Sequence, residues 1–297
     1  MIAGYNGNPA PWHIVNMLSI HNHDRDSAGL RYIYPVISRR SGGLSIGVNL
    51  NPNQACNWRC AYCQVPGLRR GSAPTIDLIR LRDELTGVLD DVRKGDFYRR
   101  FEVPDAQQTI RDIAISGDGE ATTADEFPDV VAVIGEVCRD FQLGGRIKLV
   151  LISNGSQARR DQVQAGLRAW AELGGEMWFK LDSATAEGMA RINGINAGPA
   201  SVMANLQAAT TACPVWLQTC IFRMDGHHPS QEERLAYLGL LEEASVQGIL
   251  LQGVLLYGLA RPSQQPEASR LSPASRDFMD AMAADIRALG LEVRVNP

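Results

Sequence analysis

The feature that most constrains this chain is a rhythm. Short apolar runs alternate with stretches of helical periodicity six times over. The runs cover residues 44–50, 113–115, 147–152, 177–181, 215–222 and 249–256. After the first come Leu78, Leu81, Leu85, Val88, Leu89 and Val92, and after the second Phe127, Val130, Val131, Ile134, Val137 and Phe141, all at helical spacing. Val163, Leu167 and Trp170 follow the third run, and helical stretches near 185–192 and 199–212 follow the fourth. Leu235, Leu238 and Leu241 follow the fifth, and Phe278, Met282, Ile286 and Leu289 the sixth, before a last apolar segment at 291–295. Strands that are apolar on both faces and alternate with amphipathic helices make a parallel sheet. Six units fall short of the eight in a closed barrel. The pattern therefore predicts an α/β fold, a partial (βα)6 barrel of parallel strands over 41–297, with a doubly wound sheet as the competing arrangement. Residues 1–40 lack periodicity, hold His13, His21 and His23, and read as an irregular N-terminal extension. Together with 95–109 they are the stretches expected to cap a cavity.

Composition supports a folded domain: 45% of the 297 residues are apolar and 21% charged. Twenty-nine Lys and Arg against 33 Asp and Glu give a net charge of −4, which argues against a dedicated nucleic-acid binder. No apolar run approaches the ~18 residues of a membrane helix, and the start MIAGYNGNPAPW is neither basic nor apolar. The expectation is a cytoplasmic protein. In a reducing compartment its six cysteines are free thiols or ligands rather than disulfides.

Either arrangement puts the chemistry at the C-terminal ends of the strands, and three cysteines sit just after the first strand. Cys56-Asn57-Trp58-Arg59-Cys60-Ala61-Tyr62-Cys63 is a C-x3-C-x2-C run. Three thiolates on one short loop can hold three irons of a cubane and leave the fourth iron open, whereas the usual [4Fe–4S] site takes four cysteines. A structural zinc site normally closes with four ligands, which His21 or His23 would have to complete. A thiol redox loop needs only C-x2-C and leaves Cys56 unexplained. Other strand ends are polar as well: Ser116-Gly117-Asp118-Gly119-Glu120, Ser153-Asn154-Gly155, Lys180 with Asp182, and Gln218-Thr219. Read alone, the Gly-rich segment is a tight turn with an acid near a helix start, and Asp182 is a helix cap or ion-pair partner.

With these residues in place, the sequence resembles the radical S-adenosylmethionine superfamily over most of 44–297. The resemblance implies a [4Fe–4S] cluster on Cys56, Cys60 and Cys63, with Tyr62 beside it. The open iron would chelate the methionyl group of S-adenosyl-L-methionine, whose reductive cleavage gives a 5′-deoxyadenosyl radical that takes hydrogen from a substrate. It further implies that Gly117, Asp118, Gly119 and Glu120 meet the methionyl moiety, with Glu120 accepting from its ammonium. Ser153, Asn154, Lys180 and Asp182 would contact the methionyl group or ribose. Gln218 and Thr219 would line the cavity, Tyr257 would lie near adenine, and Arg261 would meet an anionic substrate. An outside electron donor of flavodoxin or ferredoxin type is implied too.

Within the superfamily, Cys60-Ala61-Tyr62-Cys63-Gln64-Val65-Pro66-Gly67 and the late Leu256-Tyr257-Gly258 with Arg261-Pro262 resemble the wyosine-synthase-like branch, which acts on transfer RNA. That branch carries a second cluster on three further N-terminal cysteines, and this chain has none before Cys56. The expectation is one cluster, with Cys138 and Cys213 buried as small hydrophobes and Cys220 near the cavity.

Overall fold

The computed structural model describes Leu18, residues 28–38 and residues 42–296. His13, His21 and His23 lie outside the described residues. Eight strands form one sheet: β1 (Ile33–Ser38), β2 (Gly43–Val48), β3 (Ile110–Ile115), β4 (Lys148–Ser153), β5 (Gly175–Lys180), β6 (Val215–Cys220), β7 (Gly253–Tyr257) and β8 (Val293–Asn296). Six helices follow β2 to β7 in turn: α1 (Leu78–Lys94), α2 (Phe127–Asp140), α3 (Asp161–Glu172), α4 (Pro199–Ala212), α5 (Gln231–Val246) and α6 (Arg276–Ala288).

The strands lie in the sheet in the order they occur in the chain, β1 to β8, and every pairing from β2 onward is parallel. A doubly wound sheet reverses its strand order part way along. No reversal occurs here, so the fold is the curled half-barrel. The helices pack against its outer face through residues such as Leu81, Leu85, Val130, Ile134, Leu167, Trp170 and Ile286, all fully buried. The inner face is left to the cavity.

Two sequence expectations change. First, β1 lies inside the stretch read as irregular and runs antiparallel to β2 as an edge strand. Pro35 breaks the strand signal, yet an edge position tolerates it because no donor is needed on the open side. The carboxylate of Glu84 on α1 fixes the entry to β1. It accepts from the backbone N–H groups of Arg31, Tyr32 and Ile33 at 3.0, 2.8 and 3.3 Å. Second, residues 95–109 connect the end of α1 to the start of β3, at the edge of the sheet opposite the strand C-termini. Phe97, Phe101 and Val103 are buried in the core there. That segment cannot cap a cavity at the other end.

Candidate functional site

The cysteine loop leaves β2 at the C-terminal edge of the sheet and is held from three directions. After β5, a helical turn at Met189–Asn193 presents its end to the loop. The carbonyls of Asn193 and Ile192 accept from the N–H groups of Arg59 and Ala61 at 3.0 and 2.7 Å. Asn193 Nδ2 also reaches Cys60 Sγ at 3.3 Å. After β4, Asn154 Nδ2 donates to Asn57 Oδ1 at 2.8 Å, and Asn57 Nδ2 donates to Ser156 Oγ at 2.7 Å. After β7, Ser263 Oγ donates to the Ala61 carbonyl at 2.7 Å, and Gln265 Nε2 to that of Val65 at 2.9 Å. Gln264 N–H meets the Cys63 carbonyl at 2.9 Å. Asn193, Ser263 and Gln265 escape sequence reasoning because their partners in the cysteine loop, a thiol and a backbone N–H for Asn193 and backbone carbonyls for Ser263 and Gln265, lie far along the chain and leave no local pattern.

Cys56, Cys60 and Cys63 face a cavity of about 330 Å³ inside the half-barrel. Tyr62, Gly117, Asp118, Gly119, Glu120, Ser153, Asn154, Lys180, Gln218 and Tyr257 line the same cavity, as do Arg261 and Cys220. Of the residues expected at the site, Asp182 stands outside this lining. It is buried behind the loop, where Oδ2 accepts from Tyr62 Oη at 2.5 Å and Asn193 Nδ2 at 2.7 Å, while Oδ1 accepts from Cys220 N–H at 2.9 Å. It ties the cysteine loop to β5 and β6, and its three hydrogen bonds all go to protein groups. Thr219 also departs from expectation. Side chains alternate along a strand, so with Gln218 turned inward Thr219 points to the helices, where its hydroxyl meets Tyr237 Oη at 2.7 Å. Cys138 and Cys213 are buried in the main core.

The glycines of the turn after β3, which line the cavity, also meet a second neighbour. Gly117 has φ +154°, and a Cβ there would lie 2.2 Å from Asn49 Oδ1. A Cβ on Gly119 would lie 2.0 Å from the Ala55 carbonyl oxygen. Both make room for the base of the cysteine loop, and Asn49 Nδ2 donates to Asp118 Oδ2 at 2.6 Å across that contact. Glu120, 2% exposed, accepts through Oε1 from Thr122 N–H (3.1 Å), Thr122 Oγ1 (2.5 Å) and Ser153 Oγ (2.6 Å). Its Oε2 takes the Asn154 N–H at 2.6 Å. Glu120 therefore clamps the ends of β3 and β4 together.

Electrostatics divide the cavity. Lys180 Nζ donates to Tyr257 Oη at 2.9 Å and lies 5.0 and 5.5 Å from the ring centres of Tyr62 and Tyr257. Burial alone would lower this ammonium's pKa, but Tyr257, Asp182 and Cys60 around it outweigh burial and hold it above the ordinary lysine range. Burial pushes the Cys56 thiol up to about 11 and the Cys60 thiol up to about 12. Gln218 is 2% exposed, and its Oε1 has no hydrogen-bond partner. Among the described residues no three His, Cys, Asp or Glu side chains converge as ligands of a single ion would, and no helix is long and apolar enough to cross a membrane.

No protein-family model matches the chain, and no curated protein does. Solved structures do. TYW1 with a lysine-pyruvate adduct bound superposes with a TM-score of 0.55 at 14% identity, covering 92% of this chain and 79% of that one. A radical SAM methyltransferase from Sphaerobacter thermophilus gives 0.58 at 14% identity, with 88% and 68% covered. A mutant of spore photoproduct lyase gives 0.52 at 10%, with 81% and 73% covered. The fold of this chain is that of the radical S-adenosylmethionine enzymes.

Proposed function

We propose that this protein is a radical S-adenosylmethionine enzyme with one [4Fe–4S] cluster on Cys56, Cys60 and Cys63. The observation that carries the reading is convergence. A cysteine loop and polar residues from the ends of β3, β4, β5, β6 and β7 share one cavity, in a fold whose solved neighbours are enzymes of that kind.

The donor set fits the group. Thiols with pKa values of about 11 and 12 are not thiolates at neutral pH, which disfavours thiol–disulfide work; a bound cation would displace those protons. A cubane takes each thiolate on a different iron, so its ligands need not converge on one point as zinc ligands must. With S-adenosylmethionine bound, such a cluster supplies one electron for cleavage of the sulfonium to methionine and a 5′-deoxyadenosyl radical. The chain's own residues have the complementary tasks. The Lys180 ammonium is suited to a carboxylate, as a buried cation without water to solvate it gains most from an anion. Glu120 Oε2 takes one donor from the protein and keeps capacity for an ammonium. The orphaned Gln218 Oε1 requires a hydroxyl or amino donor from whatever fills the cavity. The buried rings of Tyr62 and Phe222, 5.6 Å apart, keep water from the cysteines on the β6 side. Oxygen-labile metal chemistry and free thiols suit the cytosol. The absence of cysteines before Cys56 favours one cluster over the two of the wyosine-synthase-like branch.

Anaerobic reconstitution tests the reading. The expected result is about four irons per chain and a visible band bleached by dithionite, both lost in Cys60→Ala. Uptake of zinc with no uptake of iron would replace it with a structural metal site.

A further inference from the structure

Asn193 carries a buried side chain that holding the cysteine loop does not require. It is 1% exposed and ends the turn Met189–Asn193, which is wound as a π-helix, a rare form frequent at functional sites. Gly194 follows at φ +64°, and a Cβ there would lie 2.8 Å from the Arg59 carbonyl oxygen, so turn and loop touch along their backbones. Two backbone bonds already join them, from Arg59 N–H to the Asn193 carbonyl and from Ala61 N–H to the Ile192 carbonyl. The side-chain amide is directed elsewhere. Its Nδ2 lies 2.7 Å from Asp182 Oδ2 and 3.3 Å from Cys60 Sγ.

The carboxylate settles which way this amide faces. An ionised carboxylate only accepts, so the atom opposite Asp182 Oδ2 is the nitrogen, and its second N–H is aimed at the sulfur. Asp182 is itself fixed by Tyr62 Oη and the Cys220 N–H. The surroundings are apolar, since Cys60 packs against Tyr62, Ile192, Cys220 and Phe222, and a hydrogen bond there is stronger than in water. Cys56 differs. Its sulfur takes the Trp58 N–H at 3.4 Å, a local backbone donor that most residues would supply.

We infer that Asn193, aimed by Asp182, is a positioning residue that raises the reduction potential of the metal centre through an N–H···S bond to Cys60, an inference that rests on the cluster reading above. A metal-bound thiolate has no proton of its own, so its sulfur is an acceptor. One electron added to the centre adds one negative charge, which the sulfurs share, and no covalent bond forms or breaks. An N–H aimed at one sulfur therefore stabilises the reduced form more than the oxidised form. The Asp182 charge acts in the opposite sense, and the Asn193 amide stands between the two.

Redox titration of reconstituted protein tests this with two variants. Asn193→Leu keeps the branching of the side chain and removes the donor. Tyr62→Phe removes the other hydrogen bond to Asp182 Oδ2 and leaves the donor to sulfur in place. At a fixed potential the ratio of reduced to oxidised centre should fall roughly tenfold in Asn193→Leu, a shift of about 59 mV for one electron, and stay near the parent's in Tyr62→Phe. An unchanged potential in Asn193→Leu at full iron content would overturn the inference. So would an equal fall in Tyr62→Phe, which would assign the effect to the bared charge of Asp182. If Asn193→Leu does not load iron, parent protein labelled with heavy nitrogen in its asparagine side chains decides. Its reduced centre should show coupling to that nitrogen by pulsed electron paramagnetic resonance. The amides of Asn49, Asn51, Asn57 and Asn154 bond to oxygen instead, so absence of the coupling overturns the inference. A parent that takes up no iron would overturn the cluster reading and this inference with it, whereas every other outcome leaves that reading standing.

Discussion

Asp182→Asn is the sharpest perturbation of the site because it alters no volume and leaves one of three hydrogen bonds intact. Oδ1 can remain an oxygen facing the Cys220 N–H. The other position becomes an NH2 group, and it faces Tyr62 Oη at 2.5 Å and Asn193 Nδ2 at 2.7 Å. The tyrosine can turn its hydroxyl and accept. Asn193 is oriented by Cys60 Sγ, which its Nδ2 contacts at 3.3 Å, and a flip would leave its Oδ1 only the weak S–H donor of that thiol. One charge-assisted bond is therefore weakened and another becomes a donor facing a donor. At about 1.5–3 kcal/mol for a bond to a charged group and about 1–3 for a buried group left unpaired, the cost is about 3 kcal/mol. That corresponds to a fall in melting temperature of roughly 5 °C, at about 2.1 cal/mol/K of unfolding entropy per residue over the 297 residues. Thermal melts of the anaerobic metal-free protein measure it, and iron retained after reconstitution reads the effect on the loop. A melting temperature within a degree of the parent, with full iron content, would refute the assignment of Asp182 as the strut behind the cysteine loop.

Glu120→Gln should lower the melting temperature by several degrees before any ligand is added, because either orientation of the new amide sets an N–H against the backbone N–H of Thr122 or Asn154. It should also weaken S-adenosylmethionine binding by calorimetry roughly tenfold or more; an unchanged melt would show that Glu120 does not clamp β3 to β4. Gly119→Ala places a methyl 2.0 Å from the Ala55 carbonyl oxygen, so the base of the cysteine loop must move, and iron content after reconstitution should drop well below the parent's. Full occupancy in that variant would contradict the close approach. The metal-free thiols give a pH prediction. Since burial raises Cys56 to about 11 and Cys60 to about 12, their thiolate fractions at pH 8 are far below that of a free cysteine. Alkylation at that pH should be slower than for free cysteine by roughly a hundredfold at Cys56 and roughly a thousandfold at Cys60, and should accelerate as pH rises. Fast labelling of Cys56 or Cys60 at pH 8, followed by mass spectrometry, would show an open, polar loop instead.

The strands and helices were legible because a parallel sheet buries both faces of its strands and so writes them as continuous apolar runs. β1 was not, because its Pro35 breaks the pattern and its anchor, Glu84, lies on a helix far along the chain. The site residues were legible as identities at strand ends. Their tasks were less so, since a residue at a strand end has a cavity side and a loop side. Gly117 and Gly119 line the cavity and also make room for the loop, and Asp182 bonds to the loop from behind. Gln218 and Thr219 show what was available and unused: a period of two admits only one of such a pair to the cavity. For Asn193, Ser263 and Gln265 no local signal exists, as the loop atoms they hold, Cys60 Sγ and the Arg59 N–H for Asn193 and backbone carbonyls for the other two, lie more than a hundred residues away in sequence.

The central claim is that this cavity holds a cluster and S-adenosylmethionine together for reductive cleavage. Reconstituted protein should be incubated anaerobically with S-adenosylmethionine and dithionite, and the products separated by chromatography and identified by mass. The account predicts slow formation of 5′-deoxyadenosine and methionine in equal amounts, even without a substrate, and none above background in Cys60→Ala. Iron-loaded parent protein that yields neither product, or a Cys60→Ala variant that forms both at the parent's rate, would contradict it.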